Sequence, residues 1–417
     1  MESIDSKLNN AIGHLFRHHS GQLIASLCHS FGFDKLETVE DAVQDALIAA
    51  MKTWPYTGMP ENQFAWLLRT AKNRCIDILR CDNRLSSIDD GHGFEGPTET
   101  PAVYFANEIG ESSLRMIFAC CHPEISPDSR VALTLKAVGG FSVAEIASAF
   151  ISSSEAVTKL LSRAKSRLRD LGVRLEIPKP NELPGRVDSV LKALYLMFNE
   201  GYSASSGETL LRKDLVFEAI RLVCSLATHP VTTAPSVDAL AALFHFQAAR
   251  MPTRSDHNGE LLILAEQDRN RWDKRLISQG IHHLRLSASG DFVSDFHLEA
   301  EIAALYTLAA DYDSTNWKRI LAAYEKLQKR QFSPVIELNR AIVLGEIYGP
   351  HAAYEQLMAL ESQLAAYNLF FITKGHYEAR LYKRPQAAES LQKALRLTKN
   401  ESVRQLVQKR LAALRLP

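Results

Sequence analysis

The chain has 417 residues, of which 46% are hydrophobic and 23% charged, and its 48 basic residues balance its 48 acidic residues. This is the composition of globular material with a sizeable core, so any binding to nucleic acid has to rely on local patches of charge. No run reaches the roughly 18 to 20 apolar residues of a membrane span, and the N-terminus lacks a signal-peptide h-region. These features predict a cytoplasmic protein of about two to four domains with no membrane partner.

The first predicted element is an amphipathic helix over Asp41–Trp54. Its apolar residues recur at three- and four-residue steps, while Asp41, Gln44 and Asp45 share the polar face. The segment leading into it is acidic, with five acids and one Lys between Asp34 and Asp45. The pattern predicts a helix that docks on another protein through its acidic face.

A second helix is predicted over Phe64–Arg80. Its polar residues are Arg69, Lys72, Asn73, Arg74 and Arg80. Phe64 and Trp66 precede the cations, which suits a surface that binds phosphates and offers rings to unstacked bases. Asp77 is the single acid, and its position also allows an internal ion pair with Arg74.

Two connecting elements follow. Asp82–Pro101 contains three Gly, two Pro and five acids with a single Arg, and it lacks helical periodicity. The sequence therefore predicts a flexible acidic linker over residues 83–107, followed by a short helix over Glu108–Cys120.

The segment Arg130–Arg169 has the outline of a helix-turn-helix. It predicts a helix, a Gly-Gly turn, a short helix, a tight turn and a basic third helix with one apolar stripe. Opposite that stripe, short hydroxyls come first, where base edges would be met, and cations follow, where phosphates would be. The alternative is an ordinary amphipathic helix with a solvated charged face.

The six cysteines include no C-x-x-C pair and suggest no disulfide framework. The one local group of metal-ligating types is Cys120-Cys121-His122. Adjacent cysteines chelate a tetrahedral ion poorly, and no second ligand pair stands at zinc-finger spacing. The sequence therefore predicts buried thiols here, and no metal and no other cofactor in the chain.

The chain changes character after Pro184. Further helices are predicted over Val187–Phe198, Asp214–Ala227, Ser236–Met251 and Asp295–Ala310. Asn199–Gly207 is predicted to be a turn, and Gln267–Asp273 is a polar cluster anchored by Trp272. Nucleophile motifs, phosphate-binding Gly loops and H-E-x-x-H are missing, so the sequence predicts structural polar pairs and no enzyme.

The last hundred residues repeat with a period of 34. Ala353, Leu357 and Leu360 recur as Ala387, Leu391 and Ala394, and Ile320, Tyr324 and Leu327 precede the first set by 33 residues. This period is typical of tetratricopeptide repeats, in which pairs of antiparallel helices stack. The number of repeats stays open between two and four. Such an array binds a protein or peptide ligand, or else packs against the rest of the chain.

In this order, the motifs of the first 170 residues resemble an extracytoplasmic-function sigma factor, the minimal class with regions two and four. DAVQDALIAAMKTW resembles the region-two helix that binds core RNA polymerase. FAWLLRTAKNRCIDILR resembles the signature WL-x-R-IA-x-NR-x-ID-x-LR of the promoter-melting helix. Glu145–Lys165 resembles the region-four pattern without a gap, although Ile151 replaces the turn glycine and Leu160 replaces a commonly basic residue.

The resemblance implies three sets of binding residues. Contacts with core polymerase are expected at Asp41, Gln44 and Asp45. Contacts with the minus-ten strand are expected at Asn62, Phe64, Trp66, Arg69, Lys72, Asn73, Arg74 and Arg80. Contacts with the minus-thirty-five groove are expected at Ser153, Ser154, Glu155, Thr158, Lys159, Ser162, Arg163 and Arg167.

The predicted fold is all-α. Its domains are a sigma region-two bundle at 10–82, the linker at 83–107, a region-four helix-turn-helix at 108–175, a helical extension at 186–290 and tetratricopeptide-like repeats at 291–417. The last two resemble the extension of a known sigma subgroup.

The predicted function is a sigma factor that directs core RNA polymerase to promoter DNA and melts the minus-ten region, with the extension regulating it in cis. The alternative is a DNA-binding regulator with a tetratricopeptide sensor domain. The block Asp41–Arg80 favours the sigma factor, because a simple regulator has no use for a docking helix beside a melting helix.

Overall fold

The computed structural model describes residues 19–86, 106–150, 152–202, 213–256, 261–330 and 333–414. Within these ranges the regular elements are helices, with one isolated bridge between Ser255 and Leu261, so the predicted all-α class is confirmed. None of the described helices is both long and apolar enough to cross a membrane. The chain divides into two compact units, Met1–Leu196 and Met197–Pro417.

The helices of the first unit follow the predicted order. They are α1 (residues 19–31), α2 (Leu36–Thr57), α3 (Gln63–Ser86), α4 (Ala106–Cys120), α5 (Pro127–Ala137), α6 (Val143–Ala149) and α7 (Ser154–Asp170). The helix α8 (Leu183–Tyr202) crosses the division between the two units.

The pair α2 and α3 forms the predicted region-two core. The apolar stripe of α2 is buried, and Leu67, Ala71 and Cys75 of α3 are buried with it. Helix α2 ends where Gly58 takes a φ of 82°, a backbone conformation that favours glycine. Helix α3 continues to Ser86, into the predicted linker, since no Gly or Pro interrupts it before Gly91. The linker residues 87–105 lie outside the described ranges.

The helices α5, α6 and α7 form the predicted helix-turn-helix. Side chains of Ser126 and Ser153 cap the N-termini of α5 and α7 by accepting hydrogen bonds from backbone amides. The predicted stripe of α7 is buried at Val157, Leu161, Ala164 and Leu168. Ile151, at the position of the turn glycine, lies outside the described residues.

The second unit continues with ten further helices among its described residues. They are α9 (Lys213–Thr228), α10 (Pro235–Ala249), α11 (Lys274–Ser287), α12 (Asp295–Leu308), α13 (Trp317–Arg330), α14 (Pro334–Tyr348), α15 (Pro350–Leu360), α16 (Asn368–Arg380), α17 (Arg384–Leu397) and α18 (Glu401–Leu414). Helix α11 has no counterpart in the sequence prediction; Asp273 caps its N-terminus.

The predicted turn Asn199–Gly207 is wrong in its first half, because α8 continues to Tyr202. Phe198 and Tyr202 lie one helical turn apart, and their rings stack with centroids 5.7 Å apart. The Phe198 ring also stacks on Phe244 at 4.1 Å. Burial of these rings outweighs the low helix propensity of Gly201. The rest of the predicted turn lies outside the described residues.

The polar cluster around Trp272 is structural, as predicted. The indole is 3% exposed, and its Nε1 donates a hydrogen bond to Thr253 Oγ1 at 2.7 Å. The guanidinium groups of Arg250 and Arg269 lie over its ring, at 5.7 and 4.8 Å from the centroid. Arg269 also donates hydrogen bonds to two backbone carbonyls, those of Tyr306 and Ala309.

The predicted repeat region consists of helices α13 to α18, and each packs against the next along the chain. The repeating positions are buried apart from the half-buried Tyr324. Gly345 allows a close approach between α14 and α16, since a Cβ there would lie 2.5 Å from the Tyr377 hydroxyl. That these helices form tetratricopeptide repeats with a ligand groove stays a prediction.

Candidate functional site

The acidic face of α2 points to solvent. Asp41 and Gln44 are exposed and Asp45 is half-buried, while the opposite face of the helix is buried. The three residues expected to bind core polymerase therefore share one accessible face, as their spacing predicts.

Asp45 is also joined to α3. Arg74 Nε donates a hydrogen bond to Asp45 Oδ2 at 2.6 Å, and this bond, together with the attraction between the charges, raises the pKa of Arg74. The partner of Arg74 is thus Asp45 and not Asp77, because α2 and α3 pack side by side. Both side chains are about half exposed, so the pair stabilises the fold only modestly. It places an expected polymerase contact beside an expected minus-ten contact.

The start of α3 holds the other residues expected at the minus-ten strand. Asn62 caps the helix, since its Oδ1 accepts a hydrogen bond from the backbone amide of Ala65 at 2.9 Å. The rings of Phe64 and Trp66 are only half-buried, and they contact His19 and Trp54 with centroids 5.3 and 5.4 Å apart. Both rings are therefore held in place and still reach the surface. Exposed polar residues continue along α3 at Arg69, Asn73, Arg74 and Arg80, and Lys72 is half-buried.

Helix α7 exposes every residue expected at the minus-thirty-five groove. Ser153 Oγ accepts a hydrogen bond from the Ala156 amide at 3.2 Å. Hydrogen bonds from the Glu155 backbone amide and the Ser153 side chain lower the pKa of the Glu155 carboxyl. These two residues thus serve the helix start, whereas Lys159 and Arg163 extend from its middle.

A buried ion pair joins α2 to α7. Lys165 Nζ lies 2.7 Å from Glu40 Oε2, and the two side chains are 12% and 9% exposed. Lys165 fits the region-four pattern as a cation, but its charge is buried inside the first unit rather than offered to DNA. Nothing in the local sequence indicates a partner 125 residues away.

A close approach of α1 to the end of α5 lies in the same unit. A Cβ added at Gly21 would lie 1.7 Å from the backbone carbonyl oxygen of Val138. Side chains larger than hydrogen therefore do not fit at this position.

The thiols of Cys120 and Cys121 are buried, as predicted. Burial raises the pKa of Cys121 to about 11, although a hydrogen bond with Thr134 acts in the opposite direction. Its Sγ lies 3.3 Å from Thr134 Oγ1. Neutral, buried thiols of this kind pack as small apolar side chains.

A docking helix, a basic aromatic helix and a helix-turn-helix in this order define a transcription initiation factor of the sigma type. Comparison with family models agrees, since residues 15–85 match Sigma-70 region 2 and residues 115–168 match Sigma-70, region 4. Residues 186–288 match a family of unknown function, DUF6596.

Two relatives extend the comparison. The chain is 32% identical over 379 residues to an uncharacterized protein, R00370, of Rhizobium meliloti, and the match covers 89% of this chain and 88% of that protein. It is 26% identical over 208 residues to the ECF RNA polymerase sigma factor SigG of Mycobacterium tuberculosis, covering 44% of this chain and 55% of that protein. No solved structure gives a significant match. The chain belongs to the extracytoplasmic-function sigma-70 family and carries a C-terminal extension.

Proposed function

We propose that this sigma factor binds core RNA polymerase through the acidic face of α2, reads promoter DNA with α3 and α7, and melts the minus-ten region. The observation that carries the proposal is the joining of an exposed acidic face to an exposed basic face by the Asp45–Arg74 ion pair. One pair of packed helices thereby presents a protein-docking surface beside a strand-binding surface. Run-off transcription with purified core polymerase tests the proposal.

The proposed core contact gives the first prediction. Asp41→Lys, which reverses an exposed charge on α2, should weaken binding to core polymerase by about 1–3 kcal/mol, since a complementary charge is replaced by a repulsive one. Asp45→Lys should weaken it at least as much, because the new cation also faces Arg74. Affinity is measured by titration of labelled sigma factor with core enzyme.

The matched control is Glu182→Lys, an equally exposed charge reversal between region four and α8. It should leave the affinity unchanged. Equal affinities for Asp41→Lys and wild type, with both proteins folded, would rule out this docking face.

The proposed groove contact gives the second prediction. Lys159→Ala and Arg163→Ala should each lower promoter affinity and reduce the slope of its salt dependence by about one unit, as expected for one lost phosphate contact. Binding of the polymerase complex to promoter DNA is measured at several salt concentrations. Lys318→Ala, an exposed cation of α13, is the control and should keep the full slope. An unchanged slope in both α7 variants would mean that another face of α7 meets DNA.

We also propose that the extension, residues 186–417, regulates the sigma regions in cis by supporting their activity. The start of the extension already belongs to the first compact unit. Arg186 donates a hydrogen bond to the Phe118 carbonyl, and Ser189 donates one to the Cys121 carbonyl at 2.9 Å. Both acceptors lie at the end of the region-four helix α4, so α8 completes the surroundings of that helix.

Truncation tests this part of the proposal. The fragment 1–196 keeps the contacts of Arg186 and Ser189 and removes the second unit. Its transcription from a target promoter should fall well below that of the full chain, while amide exchange in α4 to α7 stays unchanged. A folded fragment with the basal and induced activity of the full chain would contradict a regulatory role, and a more active fragment would reverse its direction.

A further inference from the structure

The extension brings three metal-ligating side chains together. Cys224 lies on α9, His245 on α10 and His283 on α11, and their ligand atoms are all within 4.8 Å of one another. The Cys224 Sγ is 3.9 Å from His283 Nε2, and the two imidazole rings stack with centroids 5.3 Å apart. This is the one such group of three among the described residues.

Both histidines are oriented through their other ring nitrogen. His245 Nδ1 lies 2.7 Å from the carbonyl oxygen of Ala241, which only accepts, so Nδ1 carries the proton and Nε2 keeps its lone pair. His283 Nδ1 lies 2.8 Å from Asp238 Oδ1, one carboxylate oxygen of a buried side chain. Hydrogen bonds of this type fix the ring and tautomer of metal-ligating histidines. Here they leave both Nε2 atoms available beside the thiol.

The helices that supply these ligands are packed closely. Asp238 and His245 lie seven residues apart, two turns along α10, so both face α11. Gly280, one turn before His283, lets α11 approach α10, since a Cβ there would lie 2.8 Å from the Phe246 ring. The cluster is thus built into the best-packed helix pair of the extension.

We propose that Cys224, His245 and His283 bind a thiophilic divalent metal, Zn²⁺, with Asp238 as the positioning residue of His283. Zinc accepts one thiolate and two imidazoles, at about 2.3 Å for sulfur and about 2.0–2.1 Å for nitrogen. Tetrahedral coordination at those lengths separates sulfur from nitrogen by about 3.5 Å. The observed 3.9 Å between Cys224 and His283 is close to this value, so small side-chain rotations close the site. Mg²⁺ and Ca²⁺ prefer oxygen ligands and do not suit this donor set.

Three protein ligands leave a fourth position on the ion for water or an exchangeable group. Binding joins three helices whose ligands stand 21 and 38 residues apart in sequence. The metal should therefore stabilise the fold of α9 to α11. This inference concerns the extension alone, and its failure would leave the assignment of the sigma regions untouched.

Thiol alkylation of the full-length protein tests the site without any substitution. The protein is first stripped with a chelator, then treated with iodoacetamide with and without one equivalent of Zn²⁺, and modified peptides are quantified. Zn²⁺ should slow the alkylation of Cys224 at least tenfold, and chelator should restore it. Cys81, an exposed thiol of α3, is the internal control and should react at the same rate throughout. Equal rates at Cys224 with and without Zn²⁺ would overturn the proposal.

Substitutions then assign the ligands. Full-length protein is titrated with Co²⁺, and thiolate-to-metal charge transfer is followed by absorption. Cys224→Ser should abolish that band, and Asp238→Asn should lower metal affinity about 10- to 100-fold, as loss of such a partner typically does. Cys81→Ser and His282→Asn, which alter a distant thiol and the exposed neighbour of His283, should bind as the wild type does. A full charge-transfer band in folded Cys224→Ser protein, or none in the wild type, would contradict this ligand set.

Discussion

Replacing Lys165 by Met should lower the free energy of unfolding of the first unit by about 3–5 kcal/mol, the usual cost of leaving one member of a buried ion pair without its partner. The Glu40 carboxylate is 9% exposed, and its Oε1 already lacks a hydrogen-bond partner, so the variant leaves both oxygens uncompensated. The stability lost is that of the packing between α2 and α7, where the pair lies.

Hydrogen exchange measures this effect for the first unit alone. Protection of amides in α2 and α7 is followed as a function of denaturant, because exchange reports each cooperative part of a large chain separately. Glu40→Gln with Lys165→Met should recover most of the loss, since no buried charge remains. Arg167→Met breaks the exposed pair with Glu124 and should cost at most about 1 kcal/mol. Equal losses for Lys165→Met and Arg167→Met would show that burial of the pair has no energetic weight.

Gly21→Ala should disrupt the same unit through the backbone. The added Cβ would lie 1.7 Å from the Val138 carbonyl oxygen, and a backbone atom moves only if the helix moves. Overpacking of this kind typically costs about 1–3 kcal/mol, and more where the backbone must shift. We expect faster amide exchange in α1 and in the turn after α5.

Gly185→Ala is the control for this substitution. A Cβ at Gly185, in the first turn of α8, meets nothing within 4 Å. That variant should be neutral or slightly more stable, because alanine has the higher helix propensity. Unchanged exchange in Gly21→Ala would contradict the close approach of α1 to the end of α5.

The sequence predicts those features that arise from local patterns. Apolar residues at helical spacing gave α2, α3 and α7, and capping serines marked the starts of α5 and α7. The resemblance to sigma factors added roles for the exposed residues of these helices. Those roles remain predictions, although each of the residues expected on α7 is exposed.

Contacts between distant segments left no such signal. The partner of Lys165 is 125 residues away, and Arg74 chose Asp45 over the closer Asp77 because the neighbouring helix, rather than its own, supplies the nearest carboxylate. Helix α8 outran its predicted end since the stacking of Phe198 on Phe244 depends on a helix that follows much later. The cluster around Cys224 escaped for the same reason: its ligands come from three helices at spacings that match no known metal motif.

Run-off transcription tests the central claim most directly. Purified core polymerase and this protein are incubated with promoter fragments selected by binding of the complex, and no other sigma factor is present. We predict transcripts that start at one position, and their loss when Asp41→Lys protein replaces the wild type. Transcripts that require a second sigma factor on every selected fragment would contradict the account and favour a DNA-binding regulator.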